Sequence, residues 1–439
     1  MNNFFQLEAN ESNIKTEILA GLTTFLATMY IIVVNPNMLK ETGMPFNGVL
    51  TATVLVCAFS SIMMGLYAKN PIVLAPGMGL NAFFTYSVVL GKNVPWETAL
   101  GAVFWSGVIF LLLSVFNVRT KIVLAIPKQI RYAVAAGIGI FITFIGFFDA
   151  KFIVPNPATI LGLGDLDMVT ITFIIGLFIT AILVAKRIKG ALIIGILLTT
   201  VLAIPIGRLW GDATPLFDTR TIVSWKGIFA APDFSLIFKM DLLHSLSLAV
   251  WPVIFAFLFT DMFDSLSTFI GVAEAANLVD EDGEPRNIKQ SMIVDAVSTT
   301  ISGPLGTSSG TSYIESAAGI EEGGRTGLTA VVAGLLFLPF LFFSPLLSMV
   351  PKIATSPALV LVGVFMMKPV VKINWSEFDD AIPAFLALIL IPATYSITQG
   401  IIWGFLSWTV IKLVMGKFDE LSPMLFVIDA FAILALIVG

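Results

Sequence analysis

The sequence predicts an all-α polytopic membrane protein of fourteen transmembrane segments, arranged as an inverted repeat of seven plus seven. Three observations lead there. Of 439 residues, 57% are hydrophobic and only 12% charged, about half the charge of a soluble domain (roughly 25%). The apolar residues fall into runs of about 20, the length that spans a bilayer as a helix. Two sequence features also recur seven spans apart. Ala75–Phe84 (APGMGLNAFF) and Gly306–Glu315 (GTSSGTSYIE) each start a few residues after a proline, Pro71 or Pro304, with Gly79 aligned on Gly310. Ile126-Pro127-Lys128 opens the fifth span and Val350-Pro351-Lys352 the twelfth. Seven is odd, so the second half must enter the membrane upside down, as in many secondary transporters.

The spans fall at roughly 17–34, 47–68, 71–91, 97–117, 129–148, 168–186, 190–207, 242–270, 287–303, 306–322, 324–349, 355–371, 381–397 and 400–416. A further apolar stretch, 422–439, carries Asp429 and is left open as a helix along the bundle or at the interface. Met1–Ser12 is polar and acidic, so no cleavable signal is expected. With the N-terminus in the cytoplasm, thirteen Lys and Arg fall in inside loops, among them Arg119, Lys121, Lys128, Lys368 and Lys372. Eight fall outside, four of them in the long 208–241 loop. The short-loop bias sets this orientation, and an even span count returns the C-terminus to the cytoplasm. The localisation expected is the plasma (inner) membrane. The one cysteine, Cys57, lies within a span, and the single His244 excludes a His-rich metal site. Nothing suggests nucleic-acid binding.

The stretch Gly306–Gly324 is the centre of the functional reading. A Gly/Ser/Thr run at membrane depth survives only if it is buried in protein or lines a wet cavity. Followed by a short helix with Glu315 in its first turns, it reads as a broken span that builds a site; the alternative is a polar loop outside the membrane. Intramembrane acids need a reason. Asp261 and Asp264, in FLFTDMFDSLSTF of the eighth span, are three residues apart and share a helix face. Two carboxylates so close cannot both ionise cheaply in low dielectric, so one can hold a proton while the other accepts a hydrogen bond. A wet helix end is the structural alternative. Asp295 in the ninth span has the weaker case and fits a clamp on neighbouring backbone. Asn81 offers an amide, while Gly77 and Gly79 let backbone approach a ligand closely. Phe83, Phe84, Tyr86 and Tyr313 are aromatics on which a flat ligand could stack, or simply packing. The site segments contain no Arg or Lys. The set therefore suits a neutral planar molecule rich in N–H and C=O groups, and a nucleobase fits. A hard-cation site, which usually needs six or more oxygens, matches poorly.

These motifs are familiar. APGMGLNAFF (75–84), FTDMFD (259–264), TSYIESAAGIEEGGRTGLTA (311–330) and SPALVLVGVFMM (356–367) resemble the nucleobase–cation symporter-2 (nucleobase/ascorbate transporter) superfamily, and within it the AzgA-like branch of adenine/guanine/hypoxanthine permeases. The likeness runs nearly end to end. It implies a core domain of spans 1–4 (17–117) and 8–11 (242–349), and a gate domain of spans 5–7 (129–207) and 12–14 (355–416), with 422–439 left over. It implies short strands in broken spans 3 and 10, and proton-coupled purine uptake by an elevator-like movement of core against gate. By position, Asp261, Glu315 and Asn81 would bind the base, with Gly79, Tyr313 and Phe83 beside them. Asp264 would act through protonation, along with Asp261, Glu315 and Asp295. The proton is the coupling ion, sodium stays open, and no other cofactor is implied. A homodimer through the gate is implied as well. The eighth span has Asp where the uracil and xanthine branches have Glu, which leaves room for a purine without choosing one.

Two other readings were weighed. An anion transporter of the same overall fold would need a cation in the site. An intramembrane aspartyl protease would need its two acids on different helices, whereas Asp261 and Asp264 share one. The chain is expected not to be an enzyme.

Overall fold

A hydrocarbon solvent leaves the backbone nothing to bond to but itself, so long apolar runs become helices. A computed structural model describes residues 2–116, 127–214, 219–276, 278 and 285–438. Arg119 and Lys121, counted above for orientation, lie outside them. The main helices of the first half are α1 Ile14–Thr28, α2 Ile31–Leu39, α3 Phe46–Met63, α4 Met78–Ala82, α5 Trp96–Val115, α6 Lys128–Asp149, α7 Met168–Ala185 and α8 Ala191–Ala203. Those of the second half are α9 Trp251–Ala276, α10 Ile288–Leu305, α11 Ala317–Glu321, α12 Gly327–Phe337, α13 Lys352–Met366, α14 Phe378–Thr394, α15 Ile397–Val414 and α16 Pro423–Val438. Among the described residues, eight helical stretches are long and apolar enough to cross a membrane. Shorter apolar helices cover Met78–Leu90, Ala191–Ala203 and Gly327–Phe342.

The distribution of side chains is that of a protein dissolved in lipid. Phe178, Phe385 and Val410 stay more than half exposed on outward faces, while Thr24, Asn35, Thr53 and Asp295 are fully buried. This is the reverse of a water-soluble protein, and it makes the chain a multi-pass membrane protein.

Two strands lie among these helices. β1 (Leu74–Pro76) precedes α4, and β4 (Gly310–Ser312) precedes α11. They pair antiparallel, with Leu74 opposite Ser312, Ala75 opposite Thr311 and Pro76 opposite Gly310. The ladder continues through Gly77 N–H to Ser309 O and Tyr313 N–H to Val73 O, both 3.0 Å. Glycine is required where the strands cross: a Cβ on Gly310 would lie 2.2 Å from Ser298 Oγ, and one on Gly77 2.5 Å from Thr311 Cγ2.

Three features differ from the sequence reading. The first span is two helices, because the chain breaks between Thr28 and Ile31. The apolar run of the eighth span begins at 242, but its helix starts only at Trp251. A second strand pair, β2 (Ile153–Asn156) with β3 (Ile160–Leu163), occupies a stretch read as loop. Asn156 Oδ1 accepts the Ala158 N–H at 2.8 Å, an Asx turn that reverses the chain there.

Packing divides the helices into two sets. α10 lies along α5 and α3, α12 along α1 and α3, and α9 along α5. Separately, α13 lies along α6, α7 and α8, and α14 along α6 and α15. Ion pairs join the two sets: Lys352 Nζ to Glu41 Oε2, and Lys189 Nζ to Glu322 Oε1, each 2.6 Å. Inside the first set, Glu17 is fully buried. Its carboxylate accepts the backbone N–H of Arg325 at 3.0 Å and of Thr329 at 3.2 Å, capping the start of α12. Just beyond, Gly327 meets Gly65 backbone to backbone; a Cβ on Gly327 would sit 2.0 Å from the Gly65 carbonyl oxygen. Gly327→Val is therefore expected to destabilise the protein by about 1–3 kcal/mol, as overpacking does. Thermal melting of the detergent-solubilised protein should show a clearly lower Tm than wild type.

Candidate functional site

The strand crossing fixes where the chemistry lies. Because β4 ends at Ser312, the next residues start a helical turn at Ile314–Ser316 and then α11, and Tyr313 and Glu315 emerge beside β1. A cavity of about 390 Å³ opens there, within the size range of ligand sites. Its walls include Gly77, Met78 and Gly79 from the first half, and Ser312, Tyr313 and Glu315 from the second. Asp264, Ser267 and Thr268 of α9 close another side, with Ala135 of α6 and Val362, Phe365 and Met366 of α13 facing them. The two packing sets thus meet at this cavity.

Glu315 is held. Tyr30 donates its hydroxyl to Glu315 Oε1 at 2.8 Å. Tyr30 reaches it because α1 stops at Thr28 and α2 starts only at Ile31. The Tyr30 and Tyr313 rings lie 6.5 Å apart, tilted by 46°, and the Tyr313 hydroxyl donates to the Pro76 carbonyl at 2.6 Å. That carbonyl belongs to the interrupted backbone, so Tyr313 serves the strand pair with its hydroxyl and the cavity with its ring.

Behind this wall lies a second layer of polar groups. Asp295 is fully buried and accepts from the Ser265 hydroxyl and, at 2.9 Å, from Ser312. Ser265 Oγ also lies 2.7 Å from Thr311 Oγ1. The Thr299 hydroxyl can donate to the Asp261 carboxylate or, at 3.1 Å, to the Gly310 carbonyl. Among the described residues Asp261 Oδ1 has no hydrogen-bond partner. Asn81 is fully buried; its Oδ1 accepts from Ser308, and its Nδ2 lies 3.4 Å from the Pro76 carbonyl.

The residues singled out from the sequence therefore separate. Gly79, Tyr313, Glu315 and Asp264 line the cavity, whereas Asn81, Phe83, Asp261 and Asp295 are not among its walls. Phe83 packs edge-on against Phe257, ring centroids 4.9 Å apart. Asp261 and Asp264 part company because three residues advance a helix about 4.5 Å and leave an offset of roughly 60°. One acid thus meets the cavity and the other meets α10.

Several wall residues were not singled out. Tyr30 lies within an uninterrupted apolar run, and its hydroxyl was the only signal. Lys368 and Lys372 also belong to the wall; the sequence reading counted them for orientation only and found no cation in the site segments. Among the described residues no three His, Cys, Asp or Glu side chains come together in a way that could hold a metal ion. A separate cavity of about 210 Å³, between α5, α9, α15 and α16, has Thr398 as its one polar lining residue and little to orient a ligand.

Comparison with known proteins bears on this geometry. The Xan_ur_permease family model, described as a permease family, matches residues 15–402. Adenine permease AdeP of Escherichia coli is 41% identical over 99% of this chain and 95% of its own length. Guanine/hypoxanthine permease PbuG of Bacillus subtilis is also 41% identical, over 97% of each chain. Among solved structures, the transmembrane domain of the cyanobacterial bicarbonate transporter BicA superposes with a TM-score of 0.64 at 16% identity, covering 89% of this chain and 97% of that one. At that identity the likeness concerns the fold alone. With a family model over most of its length and relatives two-fifths identical from end to end, the chain belongs to the Xan_ur_permease family of nucleobase/ascorbate transporters.

Proposed function

We propose that this permease takes up purine nucleobases (adenine, guanine or hypoxanthine) with protons, by alternating access. The observation that carries the reading is the placement of Asp264, Glu315 and the Tyr313 ring around one cavity. A purine presents N–H groups at its edge to carboxylates and a flat face to an aromatic ring. The adenine and guanine/hypoxanthine permeases named above support the purine class.

The remaining architecture follows the same reading. Fourteen spans in two inverted halves would bring β1 and β4 together antiparallel. The set packed around α1–α5 and α9–α12 would be the core (17–117 and 242–349). The set of α6–α8 and α13–α15 would be the gate (129–207 and 355–416), with α16 outside both. The base binds between them, and the core slides against the gate. Both termini face the cytoplasm, the protein sits in the plasma (inner) membrane, and two copies join through the gate.

Coupling follows from electrostatics. Asp264 and Glu315 at the cavity, with Asp261 and Asp295 behind them, cannot all carry charge cheaply at membrane depth. A proton entering with the base lowers that cost; sodium is the alternative coupling ion. Each proton moved down the membrane potential supplies about 2.3 kcal/mol per 100 mV, roughly 50-fold accumulation. Asn81 steadies β1 and Ser308 behind the site. The rim lysines favour a second reading, anion passage. Two carboxylates in the same cavity oppose it, and electrogenic currents carried by bicarbonate or sulfate would support it.

Asp264→Asn and Glu315→Gln are each expected to reduce uptake of labelled adenine or hypoxanthine at least about tenfold, in cells lacking other purine carriers, with normal amounts of protein in the membrane. Normal uptake with unchanged pH dependence in both variants would refute the carboxylate account. Tyr30→Phe removes a hydrogen bond to a charged group, worth about 1.5–3 kcal/mol. The expected result is a KM for the base raised roughly tenfold or more, with a Tm close to wild type.

A further inference from the structure

The cavity extends beyond Asp264 and Glu315. Its walls include Lys368, Pro369 and Lys372, from the turn that follows α13. Both lysines are exposed to solvent, so this turn forms the rim. Lys368 is within electrostatic reach of Glu315. Neither lysine pairs with a carboxylate among the described residues, and of the acids that follow in the chain Asp379 and Asp380 are already engaged. Lys412 Nζ lies 2.8 Å from Asp379 and 2.7 Å from Asp380, and Lys417 Nζ lies 2.6 Å from Asp379.

The turn is also docked on a long helix start. Asn374 N–H donates to Gln129 Oε1 at 3.0 Å, and Lys372 Nζ sits 5.9 Å from the centre of the Tyr132 ring. α6 begins here, at Lys128, and its first-turn N–H groups add positive potential to that of the lysines. The result is a cavity with two carboxylates at one station and unneutralised cations at its rim, with a volume of about 390 Å³, ample for more than a bare bicyclic base.

We infer that the same cavity takes a purine nucleoside monophosphate, with its base at Asp264 and Glu315 and its phosphate on Lys368 and Lys372, as an inhibitor acting from the side of the rim. This rests on the purine reading above. The ammonium groups suit a phosphate as point charges. The nucleotide is held and not carried, because its phosphate would have to shed water beside two acids to follow the base. Reactions that join an imported base to ribose phosphate make such a molecule, so the carrier would sense their product.

The test uses purified full-length protein in detergent, where both faces are accessible. Labelled hypoxanthine is displaced with inosine monophosphate, inosine, ribose 5-phosphate or inorganic phosphate, and nucleotide binding is measured separately by calorimetry. The expected result is displacement by the monophosphate at a concentration at least roughly tenfold lower than by inosine, the scale of a charge-assisted hydrogen bond. The Lys368→Ala/Lys372→Ala protein should lose that advantage while still binding the base, and Lys368→Arg/Lys372→Arg should keep it. Equal displacement by inosine, or by ribose 5-phosphate or phosphate alone, overturns the inference and leaves the carrier reading standing. Loss of the nucleotide effect on adding phosphatidylglycerol, with no effect on adding phosphatidylcholine, would assign the lysines to a lipid headgroup and also overturn it. Lysine-dependent nucleotide binding without any base binding would support the nucleotide site and sink the carrier reading instead.

Discussion

The antiparallel contact between residues 74–76 and 310–312 is the constraint on which the rest depends. Two unwound segments at membrane depth have no water to satisfy them, so each must be satisfied by the other and by side chains. The Ser61 hydroxyl both donates to and accepts from Leu74, at 3.2 and 3.1 Å, and Val73 N–H reaches Ser316 Oγ at 3.0 Å. Pro76 has no N–H to lose, and its carbonyl is taken by Tyr313. The same need fixes the small residues: Gly77 and Gly310 are what allow the backbones to cross. Once the crossing is made, α4 and the turn that leads into α11 must both begin beside it, and residues of both line one cavity.

Much of this was legible in the sequence, and what was missed has physical reasons. The apolar runs and the prolines before each broken span mark the two interrupted segments, but the alignment of Gly79 on Gly310 does not hold, since Gly79 lies in α4 and Gly310 opens β4. Glu315 stands out because an acid in such a segment needs a purpose. Tyr30 does not stand out. The break that presents it falls inside TMYIIVVNP, where apolar character continues on both sides, and hydrophobicity says nothing about a local change of helix axis. Which of Asp261 and Asp264 meets the cavity was equally hidden, since spacing gives a shared helix sector but not its rotation against α10. Lys368 and Lys372 were visible, yet as loop charges they informed only orientation. The β2–β3 hairpin was unreadable because a four-residue strand with two nearby prolines looks like any loop.

The polar groups form two layers with different duties. Asp295 and Asp261 meet hydroxyls of Ser265, Ser312 and Thr299, and through them the backbone of β4. Glu315 and Asp264 meet the cavity. Ser312 belongs to both layers: it lines the cavity and donates to Asp295 at 2.9 Å.

The contacts between the two helix sets bear on whether they can move. Glu41–Lys352 and Lys189–Glu322 join the sets, with side chains 25–48% exposed. Ion pairs of that exposure are worth about 0–1 kcal/mol each, so breaking both costs little. Between the sets Gly79 also faces Ile138 closely, with no room for a Cβ (2.6 Å). By contrast, Lys412 is almost fully buried against Asp379 and Asp380, inside one set. Lys412 meets Glu420 as well, so removing Lys412 would leave Asp380 and Glu420 without an ion pair among the described residues, which is costlier than breaking an exposed pair. Among the described residues, the most buried ionic contacts thus lie within a set and the more exposed ones between sets.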